Sequence, residues 1–325
     1  MGARRRTNPI GYELRHAVDE WLEEVRYQHS ENTHRNYADQ VGRVLISWLQ
    51  QRGISRVDEI TRQIMVEYLN AQRSATYTRR GQPNIVRRLS SRSVELRYDG
   101  ASRFLRWCVE RGYLRESPLA GVPRPRVEQK QVFAFSRGEV KRLLRAASMA
   151  PGALAYRDRA MVLTLLGTGA RASELVAMSV TCTRCKGSCI DWARNELVLH
   201  GKGSKDRRMR LGREMRKALR EWVDIRPVIP GGWIWVTHRR TVFTKHSLWQ
   251  WAKLLGKYAD VDNVHPHRFR HTFAVEFYEA HQNIKALQHR LGHSSPSITE
   301  RYLRSLGVDY GLDDSFTTPD EWLRG

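Results

Sequence analysis

The residue types needed for phosphoryl transfer occur in four short motifs in the second half of the chain. These motifs are GTGARASEL, GKGSKDR, HPHRFRHTFA and LGHSSPSITERYL, and they begin at Gly167, Gly201, His265 and Leu291. In the last motif, Gly292-His293 is typical of a helix end, and the serines and proline that follow can cap the next short helix. That helix would carry Tyr302, nine residues after His293.

A tyrosine that attacks a DNA phosphodiester makes three demands on its surroundings. The phenol, with an ordinary pKa of about 10, must lose its proton during the attack. Negative charge that builds on the non-bridging oxygens needs fixed cationic donors. The 5′-oxygen is a poor leaving group and needs a proton from a positioned acid. Two arginines, a lysine, two histidines and a tyrosine can meet these demands without a metal ion.

In chain order, the residues with these properties are Arg171, Lys202, His267, Arg270, His293 and Tyr302. Their types and order resemble the catalytic set of the tyrosine recombinases, the site-specific integrase family, and the resemblance covers most of the chain. It implies that Tyr302 cuts one DNA strand to give a 3′-phosphotyrosyl link, which is then rejoined to a partner strand. Because the energy of the broken bond is kept in that link, the resemblance implies no cofactor for catalysis.

The resemblance also implies roles for the first two motifs and for the last histidine. Arg171 follows a break in a helix, where its side chain can lie beside backbone amides, and it would bind the phosphate. Glu174 would support the site by contacting Arg171 rather than the phosphate. Lys202, in a glycine-rich turn, would be the general acid, and Lys205 in the same turn is the alternative. His293 would donate a hydrogen bond to a phosphate oxygen.

The histidine motif can be matched to H-x-x-R in two ways, because His265 with Arg268 fits as well as His267 with Arg270. Pro266 is best placed at or just before the start of a helix, which favours the second pair. His267 and Arg270 then share one helix face. The resemblance implies that His267 accepts the proton of the tyrosine and that Arg270 is the second phosphate-binding arginine. His271, which follows Arg270, is expected to pack or to cap.

Charge and length indicate a two-domain protein that binds a polyanion. Lys and Arg outnumber Asp and Glu by 56 to 34 in 325 residues, a net charge of +22. Both halves are basic, with 24 basic against 15 acidic residues up to Lys130 and 32 against 19 after it. Two basic domains fit a clamp around double-stranded DNA. No apolar run approaches the roughly 18 residues of a membrane span, and no secretory signal is evident, so we expect a cytoplasmic, nucleoid-associated protein.

The predicted fold class is mainly α. Apolar residues at three-to-four spacing predict an all-helical domain over residues 10–115, which resembles the core-binding domain of the recombinases. Within it, residues 74–83 are predicted to form a polar loop. Residues 116–132 contain three prolines and are predicted to be an extended linker. Residues 133–306 are predicted to be an α-rich catalytic domain with one small antiparallel hairpin, formed by residues 196–199 and 208–211.

A cluster of three cysteines departs from the family pattern. Cys182, Cys185 and Cys189 have the spacing C-x2-C-x3-C, and such thiolates in a reducing compartment favour zinc. His200 or Asp191 could supply a fourth ligand. A structural zinc is therefore one interpretation, and three free cysteines in a surface loop are the other. Four cysteines in a chain of this size do not predict a disulfide framework.

Residues 307–325 reverse the charge balance and form an acidic tail, which the resemblance implies could dock on a neighbouring subunit in a tetrameric synapse. Tyr310 in this tail is the rival nucleophile, but it lies outside the register of the last motif. The chain starts close to its first predicted helices, which favours a Xer-like, plasmid or mobile-element recombinase over one with an extra arm-binding domain. The alternatives are a non-catalytic DNA-binding protein with the same fold and a relaxing topoisomerase of related type.

Overall fold

The computed structural model describes residues 11–79, 82–127, 133–180, 182, 187–201, 206–293 and 295–305. It divides into two compact units, Met1–Gln129 and Lys130–Gly325. Each unit has a hydrophobic core of its own. Within the described ranges, no helix combines the length and the apolar character that a membrane crossing requires.

The first unit is built mainly from helices whose apolar faces meet in one core. The helices are α1 (Leu14–Gln28), α2 (Glu31–Tyr37), α3 (Ile46–Gln50), α4 (Arg62–Ser74) and α5 (Ser91–Glu110), and a π-helical segment (Ala38–Leu45) joins α2 to α3. Ser30, Thr61 and Ser90 cap α2, α4 and α5 by accepting hydrogen bonds from backbone amides three residues on. These caps satisfy amides that a helix start leaves without partners, so they fix where each helix begins.

The predicted polar loop between α4 and α5 is wrong. Strands β1 (Thr76–Arg79) and β2 (Gln82–Arg88) form an antiparallel ribbon there, with Tyr77 opposite Arg87 and Thr78 opposite Val86. The first unit is therefore helical with one hairpin rather than all-helical. The described side chains of both strands are exposed on both faces. Because neither face is buried, the sequence has no alternation of apolar and polar residues to announce the strands.

The second unit combines a bundle of helices with one small sheet. The helices are α6 (Arg137–Ser148), α7 (Ala153–Thr168), α8 (Ala172–Val176), α9 (Arg213–Ile225), α10 (Lys245–Ala259), α11 (Pro266–His281), α12 (Ile284–Leu291) and α13 (Pro296–Ser305). Strands β3 (Cys189–Asp191), β4 (Glu196–His200) and β5 (Asp206–Arg210) form an antiparallel sheet in the order β3-β4-β5. The predicted hairpin is confirmed as β4 and β5, and β3 adds a third strand.

The cysteine cluster differs from both interpretations of the sequence. Cys182 and Cys189 are joined by a disulfide, with their Cα atoms 5.1 Å apart, so the expectation of free cysteines is wrong for these two. This Cα separation is within the range that a disulfide spans. Cys189 begins β3, which fixes one end of the bridge in the sheet. Cys185 lies outside the described residues.

Two glycines end helices that lead into the site, and both need the left-handed conformation that glycine adopts without strain. Gly169 ends α7 with φ +57°, and a Cβ at this position would lie 2.5 Å from Cδ1 of Phe273. Gly292 ends α12 with φ +63°, as its motif predicted. A Cβ there would lie 3.4 Å from Arg207 and 3.5 Å from Arg171. Both chain reversals thus bring backbone carbonyls close to arginine side chains.

Candidate active site

Arg171 lies at the start of α8, where Glu174 holds both its backbone and its side chain. The Glu174 carboxylate accepts hydrogen bonds from the backbone N–H of Arg171 at 2.6 Å and from Nη1 of Arg171 at 2.9 Å. Nη2 of Arg171 donates to the carbonyl oxygen of Gly292 at 3.0 Å. About a third of the arginine side chain stays exposed (34%), whereas Glu174 is buried. The predicted pairing of Arg171 with Glu174 is therefore present.

Arg207, the last residue of the GKGSKDR motif, is part of the site, although its motif did not predict it. It is 3% exposed and donates from Nη1 and Nη2 to the two carboxylate oxygens of Glu174, at 2.8 Å and 2.7 Å. Burial alone would raise the pKa of Glu174, but the hydrogen bonds and charge of Arg207, together with Arg171, lower it to about 2. Glu174 is therefore an ion at any working pH and links β5 to α8.

Arg270 is buried, and its guanidinium is held by two helix ends. Nη1 donates to the carbonyl of Gly169 and Nη2 donates to the carbonyl of Leu291, both at 2.7 Å. Carbonyls at the ends of helices carry partial negative charge, which suits a cation. Burial, followed by the positive charge of Arg171, lowers the pKa of Arg270 to about 10, and the side chain stays cationic near neutral pH.

His293 comes directly after the left-handed Gly292 and is held on both ring nitrogens. Nε2 lies 3.1 Å from Nη2 of Arg270, and Nδ1 lies 2.9 Å from the hydroxyl of the buried Thr299. Since an arginine can only donate, Nε2 must accept, which assigns the proton of the neutral ring to Nδ1. Burial and the charges of Arg270, Arg171 and Arg207 lower the pKa of His293 to about 4. The ring is therefore neutral at pH 7.

Tyr302 lies in α13 among aromatic rings and cations. Its ring is edge-on to His293, with centroids 5.5 Å apart, and stacks on His271, with centroids 5.0 Å apart. Burial raises the pKa of the phenol, while Arg270 and Arg171 act to lower it, and the pKa remains above its ordinary value. The phenol is protonated at neutral pH, so attack by Tyr302 would require a proton acceptor.

Two of the histidines of α11 form a row beside Tyr302. His265 is the N-cap and Pro266 the first residue of α11, which confirms the helix start expected from the sequence. His267 stacks on His271, with ring centroids 6.0 Å apart, and His271 in turn stacks on Tyr302. Partial desolvation, followed by the charges of Arg270 and Arg171, lowers the pKa of His267. Burial and neighbouring histidines lower that of His271 to about 4.

The structure thus brings together five of the six predicted positions, and Glu174 with them. Lys202, and its alternative Lys205, lie outside the described residues; Tyr310 does too. The strands that flank the lysine turn are described: His200 at the end of β4 is paired with Asp206 at the start of β5, and Arg207 follows directly. Through Arg207, the start of β5 is therefore linked to Glu174, the carboxylate that holds Arg171.

The residues described around the cysteines do not complete a zinc site. The ring of His200 pairs with Asp206, and Asp191 accepts a hydrogen bond from the backbone of Arg194 at 3.1 Å. Both candidates for a fourth ligand therefore have other partners. Across the part of the chain that the structure describes, no cluster of three His, Cys, Asp or Glu residues could hold a metal ion.

Chemically, the arrangement suits a dianionic or anionic oxygen group brought next to a phenol. Two guanidiniums, one buried and one partly exposed, are oriented by backbone carbonyls and by one carboxylate rather than by solvent. Such fixed cations stabilise charge that develops on phosphoryl oxygens, because they need no reorganisation during the reaction. Neutral imidazoles beside the phenol can accept a proton.

The sequence pattern of the Phage integrase family matches residues 134–307, which cover most of the second unit. The tyrosine recombinase XerC of Yersinia pestis is 32% identical over 218 residues, or 66% of this chain and 69% of the relative. XerC of Serratia marcescens is 31% identical over 217 residues, with the same shares of the two chains.

The fold is also similar to that of solved structures. A lambda integrase tetramer bound to a Holliday junction has a TM-score of 0.68 with 18% sequence identity, and the match covers 97% of this chain and 85% of that one. At this level of identity the likeness concerns the fold, and it extends over both units.

Proposed function

We propose, since the chain belongs to the phage integrase family of tyrosine recombinases, that Tyr302 is the residue through which this enzyme cuts and rejoins DNA. The hydroxyl oxygen of Tyr302 attacks the phosphorus of a DNA phosphodiester, and the bond from phosphorus to the 5′-oxygen breaks. The products are a 3′-phosphotyrosyl link and a free 5′-hydroxyl. Attack by the 5′-hydroxyl of a partner strand reverses the step, so that no bond energy is lost to water.

The observation that carries this proposal is the convergence of Arg270, His293 and Tyr302 at the junction of α11, α12 and α13. Arg171 and Arg270 are proposed to bind the two non-bridging oxygens of the phosphate. Their bonds to the consecutive carbonyls of Gly292 and Leu291 set their orientation before DNA arrives. Preorganised donors of this kind are worth about 3–4 kcal/mol each in other enzymes when one is removed.

Two proton transfers complete the proposed reaction. His267 is proposed to accept the phenolic proton, because its lowered pKa keeps the imidazole neutral at pH 7. Lys202, assigned by resemblance alone, is proposed to give a proton to the leaving 5′-oxygen. His293 is proposed to donate from Nε2 to a phosphate oxygen, which requires that the oxygen replace Nε2 as the acceptor at Arg270 and that the ring proton move from Nδ1 to Nε2. Tyrosine recombinases need no cofactor for this exchange.

Double-stranded DNA is the proposed partner, and the net charge of +22 supports it. The two basic units would hold a duplex as a clamp, and the acidic residues 307–325 would dock on a neighbouring subunit in a tetramer. The lambda integrase neighbour was solved as a tetramer on a Holliday junction, which supports this assembly. We propose action in the cytoplasm, at the nucleoid. No observation favours a non-catalytic DNA-binding protein.

Covalent capture tests the proposed nucleophile. The protein is incubated in EDTA with nicked duplexes from DNA that flanks its own gene, then denatured and examined for DNA-linked protein. Wild type should give an adduct, and Tyr302→Phe should give none while binding the same duplexes. Tyr258→Phe, at an exposed tyrosine of the same unit, is the matched control and should react like wild type. An adduct that survives Tyr302→Phe but not Tyr310→Phe would assign the reaction to the rival.

A structural zinc at Cys182, Cys185 and Cys189 is proposed only for the fully reduced chain, because two of the three thiols form the disulfide described above. Metal analysis of protein purified under reducing conditions tests it. About one zinc per chain, lost in Cys185→Ser, would support the site, and well under one zinc per chain would exclude it.

A further inference from the structure

We propose that the β1–β2 ribbon is a DNA-binding element in its own right, which enters the major groove of the duplex. This inference rests on the proposed function, since it presumes that the first unit meets DNA. It concerns a segment that the catalytic chemistry does not use. The partner that its charge and shape fit is duplex DNA.

Charge is the first observation. Between Glu67 and Glu95 the chain has no acidic residue, and it has six arginines: Arg73, Arg79, Arg80, Arg87, Arg88 and Arg92. Arg79, Arg87 and Arg88 lie on the two strands, and Arg92, at the start of α5, pairs with Glu95. Among the described residues no carboxylate forms an ion pair with Arg87 or Arg88, whereas other exposed arginines of this unit do face one, as Arg26 faces Glu23 and Arg43 faces Asp39. Exposed arginines on the ribbon that face no described carboxylate favour a polyanionic partner.

Exposure is the second observation. Tyr77, Ile85 and Val86 are 39%, 45% and 65% exposed, although they are large hydrophobic residues on paired strands. An isolated two-stranded hairpin is at best marginally stable in water. Apolar and aromatic side chains left open on both faces therefore indicate that the ribbon has a partner, and methyl groups of thymine in the major groove are suitable apolar contacts.

Shape and attachment are the third observation. The major groove, about 12 Å wide, admits a two-stranded ribbon without deformation of the duplex, whereas the minor groove, about 6 Å wide, would first have to widen. The ribbon leaves the helical core at a fixed point: the backbone N–H of Leu89 donates to the carbonyl of Ala75 at 3.0 Å and closes its base. Ser90 then caps α5 directly. The ribbon is thus presented by rigid helices, and Arg87 and Arg88 point to opposite faces because strand side chains alternate.

Salt dependence of binding tests the proposal quantitatively. Affinity is measured by fluorescence anisotropy for a 40-base-pair duplex from DNA that flanks the gene, from 50 to 200 mM salt. Each phosphate contact contributes about 0.9 to the slope of log K against log[salt]. If both arginines contact phosphates, Arg87→Gln with Arg88→Gln should lower the slope by about 1.8. Between 50 and 200 mM salt, the factor by which affinity falls would then be roughly ten times smaller for the double variant than for wild type.

Two matched controls separate contact from charge. Arg15→Gln with Arg26→Gln removes the same charge from α1, where each arginine is paired with a carboxylate, and should leave the slope near that of wild type. Arg87→Lys with Arg88→Lys keeps the charge and should restore the slope. Circular dichroism and thermal melting of all variants should match wild type, because the substituted side chains are exposed.

Protection of guanine N7 from dimethyl sulfate reports on the major groove. Wild type should protect guanines that the double Gln variant leaves reactive, while protection elsewhere on the site is unchanged. If wild type binds DNA but the Gln variant has the same slope and the same protection, the ribbon is not a DNA-binding element. If wild type itself binds no duplex, the proposed function fails first. A lowered slope without any change in guanine protection would overturn the major-groove placement.

Discussion

The buried pair of Glu174 and Arg207 should contribute more to the stability of the second unit than any exposed ion pair. Lowering the pKa of Glu174 from its ordinary value of about 4.5 to about 2 corresponds to roughly 3 kcal/mol. Arg207 is the largest stabilising cause, and Arg171 supplies the rest. We therefore expect Arg207→Gln to lower the free energy of unfolding at pH 7 by about 2–4 kcal/mol, because it leaves a buried carboxylate with fewer donors.

The pH dependence gives the sign of this effect. The folded-state pKa of Glu174 is depressed, so its stabilisation is fully present above about pH 4.5 and is lost as the pH falls towards 2. Removing Arg207 raises the pKa of Glu174. The difference in stability between wild type and Arg207→Gln should therefore be largest above pH 4.5 and should shrink as the pH falls below it.

Urea unfolding of the four members of a double-mutant cycle measures the coupling. Arg207→Gln, Glu174→Gln and the double variant should give a coupling free energy of about 2 kcal/mol between the two positions, within the range seen for contacting residues. Arg208→Gln is the matched control: Arg208 is the next residue, is 51% exposed and pairs with Glu196 at the surface. It should cost less than about 1 kcal/mol.

Adduct formation links this pair to the reaction. Because Glu174 also holds Arg171, Arg207→Gln should slow adduct formation, and Arg207→Lys should restore part of the rate by restoring the charge. Additive free energies in the cycle, with a coupling below about 0.5 kcal/mol, would refute the inference that Arg207 acts through Glu174. A normal adduct rate in a folded Arg207→Gln enzyme would refute its link to Arg171.

Further predictions concern the helix ends and the histidine beside the nucleophile. Gly169→Ala should destabilise the second unit by roughly 2–3 kcal/mol, because its Cβ would overlap Phe273 and its φ is positive. Gly53→Ala is the control, since Gly53 also has a positive φ but has no atom within 4 Å of the new Cβ. It should cost about 1 kcal/mol in the first unit. Thermal melting of both variants compares them, and equal losses would contradict the overlap. The lowered pKa of His293 means that the unfolded chain binds a proton at higher pH than the folded chain, so this residue should reduce stability as the pH falls from about 6.5 to 4. His293→Gln should flatten that part of the profile, measured by urea unfolding across the range, and an unchanged slope would contradict it.

The proposed catalytic residues could be predicted from the sequence more completely than the residues that hold them in place. The helix boundaries next to Arg171, Arg270 and His293 agree with the motifs, because local chemistry marks these boundaries with proline or glycine. Glycine at the ends of α7 and α12 is a strong local signal for the end of a helix. Backbone carbonyls at the same two helix ends accept the hydrogen bonds of Arg270 and Arg171.

Arg207 was missed because arginine is common in this chain and because a charged residue in a turn-rich motif is usually exposed. A signal for it was nevertheless present. Met209 and Leu211 are apolar and buried, and side chains two residues apart on a strand share a face. Arg207 must therefore point into the same core as Met209. A buried arginine needs a carboxylate, and Glu174 is the acidic residue of the neighbouring motif.

The disulfide and the ribbon could not be predicted in the same way. Cysteine pairing depends on which chain segments the sheet brings within reach, and β3 is too short to show a pattern in three residues. The ribbon lacks a buried face, so its strands do not show the alternation of apolar and polar residues by which a strand is recognised in a sequence.

The end of α12 also determines how the site can fail. The carbonyls of Leu291 and Gly292 hold Arg270 and Arg171, and the very next residue is His293, which leads into the helix of Tyr302. A displacement of this junction by about one ångström would stretch both hydrogen bonds beyond their ordinary length and would move the histidine and the helix of the phenol with it. The site should therefore switch between assembled and disassembled states as one piece, so that a subunit whose last helix is pulled out of place is silent rather than weakly active.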